Sequence, residues 1–223
     1  MSSHTRPPSG QLSQDRASSS PTTAVSPQIL MAAANLLIAV PFPQVTLDDV
    51  MRGTSLQTSH SGTQTLSMHA IGAGILDHER ASMRSAKECA FAASEDPLER
   101  LVYVFRTVGE NLAHDTVVRA GVRIAAESRQ YFPERRIDPF LTWERFVTTQ
   151  LEHAHLKHSL RADIDIPGAV RIIVAAGMGT KDLVAFQDAW NEAPARFEET
   201  IVGVVELMMR ERTAPHEATR SSE

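Results

Sequence analysis

From Ser26 to Arg212 the apolar side chains recur three and four residues apart, and no stretch alternates apolar with polar residues over the length of a strand. That periodicity restricts the chain to an all-α fold of about nine helices. Several helix starts carry a local signature. Ser26 before Pro27, Asp96 before Pro97 and Asp138 before Pro139 each set a capping acceptor ahead of a proline whose missing N–H costs nothing in a first turn. Thr46 with Asp49 reads as a capping box in which aspartate replaces the usual glutamate. The first helix is expected over 28–40, with Ile29, Ala33, Leu36, Leu37 and Val40 on one face, until Pro-Phe-Pro at 41–43 stops it. A short helix over 47–51 and a long one over 69–93 follow. Beyond Pro97 come five more, of which those in VVRAGVRIAAESRQ and IPGAVRIIVAAGMGTKDLVAFQDA are apolar round most of their circumference, as suits the interior of a bundle.

The ends and the totals narrow the class further. Residues 1–25 are rich in Ser, Thr and Pro and carry too few apolar groups to offset the entropy of ordering, so they are expected to be disordered, as is 213–223. Between these tails, 42% apolar content in 223 residues is enough to bury a sizeable core. Twenty-two basic against 27 acidic residues leave a formal charge of −5, which excludes a global attraction to nucleic acid or anionic membrane. The single cysteine, Cys89, excludes an internal disulfide and a thiolate-cluster metal site. With no run of 18 apolar residues, the expectation is a cytoplasmic protein with no membrane partner.

Two segments point to a family. QILMAAANLLIAVPFPQVTLDDVMRGTSL has an Ile-Leu-x-Ala-Ala start, a loop ending in Thr and a short helix of the type Leu-x-Asp-Val. DPLERLVYVFRTVGENLAHDTVVRAGVRIAAE (96–127) and TWERFVTTQLEHAHLKHSLRADIDIPGAVRIIVAAGMG (142–179) carry the second part of the pattern. Together these resemble the TetR family of one-component repressors, and within it the γ-butyrolactone receptor branch. The resemblance implies a homodimer, each chain having a three-helix DNA-binding head (26–75) and a helical body (76–212) that encloses a small, mostly apolar effector. It also implies that a tryptophan on the seventh helix closes the effector pocket, which Trp143 matches. Val104, Val108, Phe140, Val147, Ile173 and Gly177 are expected to line the cavity around it, and no cofactor is implied.

The same resemblance makes residues 55–65 conspicuous. A recognition helix must be packed rigidly to present side chains to the major groove, and the family's Gly-Val-x-x-Gly-x-Leu-Tyr-x-His-Phe does so with aliphatic and aromatic anchors. Here the segment reads SLQTSHSGTQT, with Leu56 its one apolar side chain. Losing two buried aromatics costs about 3–5 kcal/mol each, against about 5–15 kcal/mol for a whole domain, so a loosely packed or rearranged head is expected. Charge points the same way, because phosphate contacts need Lys or Arg. Histidines aside, Arg52 is the one basic residue from Ala17 to Leu76. Arg52, Gln57, His60 and Gln64 are the candidates for any remaining DNA contact, and the head reads as a degenerate helix-turn-helix.

Other motifs yield less. HAHLKH gathers His153, His155 and His158, but at about 100° per residue only His155 and His158 would share a helical face, short of a zinc site's three or four ligands. No metal is expected. GMGTK at 177–181 and GAG at 72–74 follow no strand and complete no phosphate-loop fingerprint. Were the pocket to do chemistry on a biosynthetic intermediate, Glu110 and His114, four apart on one helix, and Glu144 beside Trp143 would be the acid–base candidates. The bland alternative for the first two is an exposed or dimer-face pair.

Overall fold

The computed structural model describes residues 25–54 and 66–209. Among them are eight α-helices: α1 (Pro27–Leu37), α2 (Leu47–Arg52), α3 (Met68–Ala93), α4 (Pro97–His114), α5 (Thr116–Tyr131), α6 (Pro139–Leu156), α7 (Ile166–Phe186) and α8 (Ala193–Met208). The only β feature among the described residues is one antiparallel bridge between Leu160 and Met209. A ninth helix would fall on 55–65, which lies outside the described residues together with Gln57, His60 and Gln64 and the expectation of a loosened head that rests on that stretch. The expected tails lie outside them as well, apart from Val25.

The helix starts follow from the side chains that precede them. Asp96 accepts from the backbone N–H groups of Leu98 and Glu99, and Asp138 accepts from that of Leu141 at 2.9 Å. The Thr46 hydroxyl accepts from the Asp49 N–H at 3.2 Å while the Asp49 carboxylate accepts from the Thr46 N–H at 3.0 Å, closing the capping box. Two ends differ from expectation. Helix α1 stops at Leu37, three residues short of Val40, because the residue before Pro41 is driven out of the helical region and the chain turns ahead of it. Helix α6 ends at Leu156, so His158 lies beyond it with a left-handed backbone (φ 57°) and shares no helical face with His155. Among the described residues no three His, Cys, Asp or Glu side chains gather as metal ligands.

Two cores organise the packing. Helices α1 and α2 bury Ile29, Leu37 and Val50 with Ile71 and Ile75 of α3 and Ile124 of α5. Phe132, just past α5, is fully buried there, with Phe42 edge-on at 5.0 Å and the His69 ring stacked at 4.7 Å. From the body, the Arg123 guanidinium donates to the Ile38 carbonyl at 2.7 Å, satisfying a backbone acceptor at the end of α1. The second core joins α4, α6, α7 and α8 through Leu101, Val104, Leu112, Val147, Leu151, Ile173 and Ile201. Each large side chain withdrawn from water in this way contributes about 1.5–3 kcal/mol. The candidate site lies inside the bundle, bounded by side chains from α3 to α8.

Candidate ligand chamber

A chamber of about 360 Å³ opens inside the C-terminal bundle, between α3, α4, α5, α6, α7 and α8. Its walls are mainly aromatic and aliphatic. Helix α4 supplies Phe105, Val108 and Leu112, α6 supplies Phe140 and Trp143, and α8 supplies Phe197. Phe105 is the pivot: its ring lies 5.3 Å from that of Trp143 at 32° and stacks on Phe197 at 6.3 Å. Gly177 on α7 makes room for it, since a Cβ at that position would sit 2.4 Å from Phe105 Cε1.

Polar groups are few and placed at the margins. Lys181 and Asp182 pair at 2.6 Å on the α7 wall. Glu79 enters from α3, interrupting the otherwise apolar inward stripe of Ile71, Ile75, Met83, Ala86 and Ala90. Gly121 of α5 lets the two helices close over it, because a Cβ there would lie 2.4 Å from Glu79 Cβ. No hydrogen bond or ion pair to Glu79 is formed among the described residues. Burial raises its carboxyl to about 7, with Arg80 and Lys87 only partly offsetting that effect. Lys87 in turn rests on aromatic faces, its ammonium 4.6 Å from the Trp143 ring centre and 5.5 Å from that of Phe146. Burial holds its pKa below the ordinary lysine value, against the pull of Glu79.

Of the residues expected to line the cavity, Trp143, Val108, Phe140 and Gly177 stand on the chamber wall. Val104, Val147 and Ile173 do not: each is wholly buried between helices of the second core. Helical spacing identifies an inward face but not whether that face meets another helix or a void. None of the three acid–base candidates lines the chamber. Glu110 pairs with Arg106 at 3.1 Å on the outer side of α4, His114 is exposed at its end, and Glu144 lies one residue round from Trp143. Nothing in the sequence pattern distinguishes Phe105 and Phe197, which also line the chamber, from ordinary core residues. Glu79 does carry a signal, a carboxylate at the position where the α3 stripe calls for an apolar group.

In the head, Arg52 is engaged by its own helix, its guanidinium paired with the Asp49 carboxylate. Thr46 also donates its hydroxyl to that carboxylate at 2.6 Å, and these hydrogen bonds hold the Asp49 pKa below its usual value.

The architecture is thus an all-helical body enclosing an aromatic-walled chamber, with an N-terminal helical unit packed against it. The chain belongs to the TetR family: residues 94–212, more than half of it, match the family described as "Tetracyclin repressor-like, C-terminal domain". No curated protein matches the sequence. Among solved structures it is similar to CprB, a TetR family protein from S. coelicolor A3(2), at 20% identity, with 82% of this chain and 87% of that one covered and a TM-score of 0.68. A γ-butyrolactone receptor (ArpA-like protein) gives 18% identity, 84% and 98% coverage and a TM-score of 0.63. The TetR regulator TylP from Streptomyces fradiae gives 15%, 82% and 86%, and 0.58. At these identities the likeness is one of fold. No helix among the described residues is long and apolar enough to cross a membrane.

Proposed function

We propose that this protein is a ligand-responsive regulator of the γ-butyrolactone receptor type, working as a homodimer in the control of secondary metabolism and binding a small, mostly apolar molecule in the chamber around Trp143. The single observation that carries the reading is the chamber itself, about 360 Å³ walled by Phe105, Phe140, Trp143 and Phe197. That size and lining suit a small-molecule site. Similarity in fold to a γ-butyrolactone receptor and to a protein studied for the control of antibiotic production by bacterial hormones supports the assignment of ligand type and biological setting. Ligand would act through α5, which contributes Val122, Ala125 and Ala126 to the chamber and, through Arg123 and Ile124, holds the head. A shift of α5 on binding would alter how the head is presented, the population change that a regulator of this type requires.

DNA contact would be weak on this reading, since Arg52 is tied to Asp49 and the other candidates, Gln57, His60 and Gln64, include no lysine or arginine. The test is uptake of the apolar dye Nile red. Saturable binding of one dye per chain is expected, and Ala126→Trp, which directs a ring into the chamber from its exposed α5 margin, should abolish it. Equal uptake by both proteins would overturn the proposal.

A further inference from the structure

The chamber does not end at Trp143. A second cavity of about 360 Å³ adjoins it, sharing Glu79, Met83, Ala125, Pro139 and Trp143 as a common wall, and its outer rim is basic. Arg80, Arg84 and Lys87 stand at i, i+4 and i+7 on α3, so they share one helical face. Arg136 faces them from the loop before α6, held by a left-handed backbone (φ 47°) that a non-glycine residue adopts at a cost. Like charges four apart repel on a helix, and none of these four cations pairs with a carboxylate among the described residues. Nearby cations are treated differently: Arg129 is paired with Asp138 and Arg135 with Asp77. Asp138, the rim's other acid beside Glu79, is thereby already engaged.

From this juxtaposition we infer that the regulator's ligand is an amphiphilic anion, with its apolar chain in the chamber and a carboxylate or phosphate head in the vestibule on Arg80, Arg84, Lys87 and Arg136. The inference rests on the chamber reading and narrows it to a ligand class. Guanidinium groups pair with carboxylate and phosphate oxygens through two parallel N–H donors. Trp143 and Lys87 mark the boundary: the ring belongs to both cavities, and the ammonium lies above it, 4.6 Å from its centre. Of the two acids lining the vestibule, Asp138 is paired with Arg129, and Glu79, on the common wall, is the one without an ion-pair partner among the described residues that would oppose the head.

Calorimetric titration with decanoic acid and decan-1-ol, matched in chain and differing in charge, tests this directly, with decyl phosphate separating carboxylate from phosphate recognition. The acid, or the phosphate, should bind about tenfold or more tightly than the alcohol. The Arg80→Gln, Arg84→Gln double variant should bring the acid down to the alcohol while leaving alcohol binding unchanged, which also verifies that the variant is folded. Arg136→Gln alone should lower the preference in part. Equal affinity for acid and alcohol, or a preference that survives the double variant, overturns the inference and leaves the chamber reading standing. Failure of acid, phosphate and alcohol alike to bind overturns it too, and Nile red uptake then decides separately whether the chamber reading falls. A double variant that loses affinity for random duplex DNA but keeps its preference for the acid would assign the cations to nucleic acid instead.

Discussion

Phe105 occupies the space that a side chain on Gly177 would need: a Cβ on the glycine would lie 2.4 Å from Phe105 Cε1 and 3.2 Å from Cδ1. The relationship ties the chamber's central aromatic to a single backbone position on α7. Gly177→Ala must therefore swing the Phe105 ring into the chamber or push α7 away from α4. The expected result is a destabilisation of roughly 1–3 kcal/mol, seen as a Tm lower by several degrees, together with loss of Nile red uptake. Retained uptake with an unchanged Tm would mean that Phe105 is free to move elsewhere.

Arg123 links the body to the head by donating to the Ile38 carbonyl at 2.7 Å, with Leu37 O at 3.4 Å. Arg123→Met keeps the aliphatic stem and removes the donors, leaving the end of α1 without its external partner. Hydrogen exchange should quicken over 29–38 and stay unchanged in α8, with a loss of about 1 kcal/mol in overall stability. Uniform exchange in both places would count against a link through this residue.

Much of this arrangement is legible in the sequence because it is set by short-range chemistry. Ser26, Thr46, Asp96 and Asp138 start helices through hydrogen bonds that span two or three residues, and the 3.6-residue repeat fixes which faces turn inward. What escapes is where two inward faces fail to meet. Val108 and Val104 are both inward on α4, yet one borders the chamber and the other is sealed in the core, because the difference is made by Phe105 and by Gly177 seventy residues away. The head shows a related limit. The contacts around Phe42, His69 and Phe132 depend on how the chain after α5 returns to the start of α3, which no local pattern announces.

Glu79 provides a pH-dependent measurement. Its folded-state pKa of about 7 stands above the ordinary 4.5, so the folded chain holds this proton more tightly than the unfolded one. Its contribution to stability is complete below about pH 4.5 and is lost as pH rises through about 7, where a charge forms in an apolar wall. Glu79→Gln has no charge to form. The variant should therefore outlast the parent above neutral pH, by up to roughly 3 kcal/mol, and the gap should close under acid. Urea midpoints collected across this range check the prediction, and a gap independent of pH would exclude ionisation as its source.

Helices α7 and α8 leave large apolar side chains exposed. Ile172, Leu183 and Phe186 of α7 are 56%, 59% and 89% exposed and, with Gly179 between them, follow one stripe, while Leu207 of α8 is 76% exposed. Large side chains in a contiguous patch mark an interaction surface. Joining two copies through it would bury the same stripe twice about a two-fold axis. The parent protein should sediment as a dimer at micromolar concentration, with a Tm that rises with concentration. Leu183→Glu with Phe186→Glu places two carboxylates in each half of that face and should give a folded monomer. Leu156→Glu, an equally exposed position (74%) at the end of α6, should leave association untouched. A monomeric parent at every concentration, or dissociation caused equally by the Leu156 change, would move the interface away from α7 and α8.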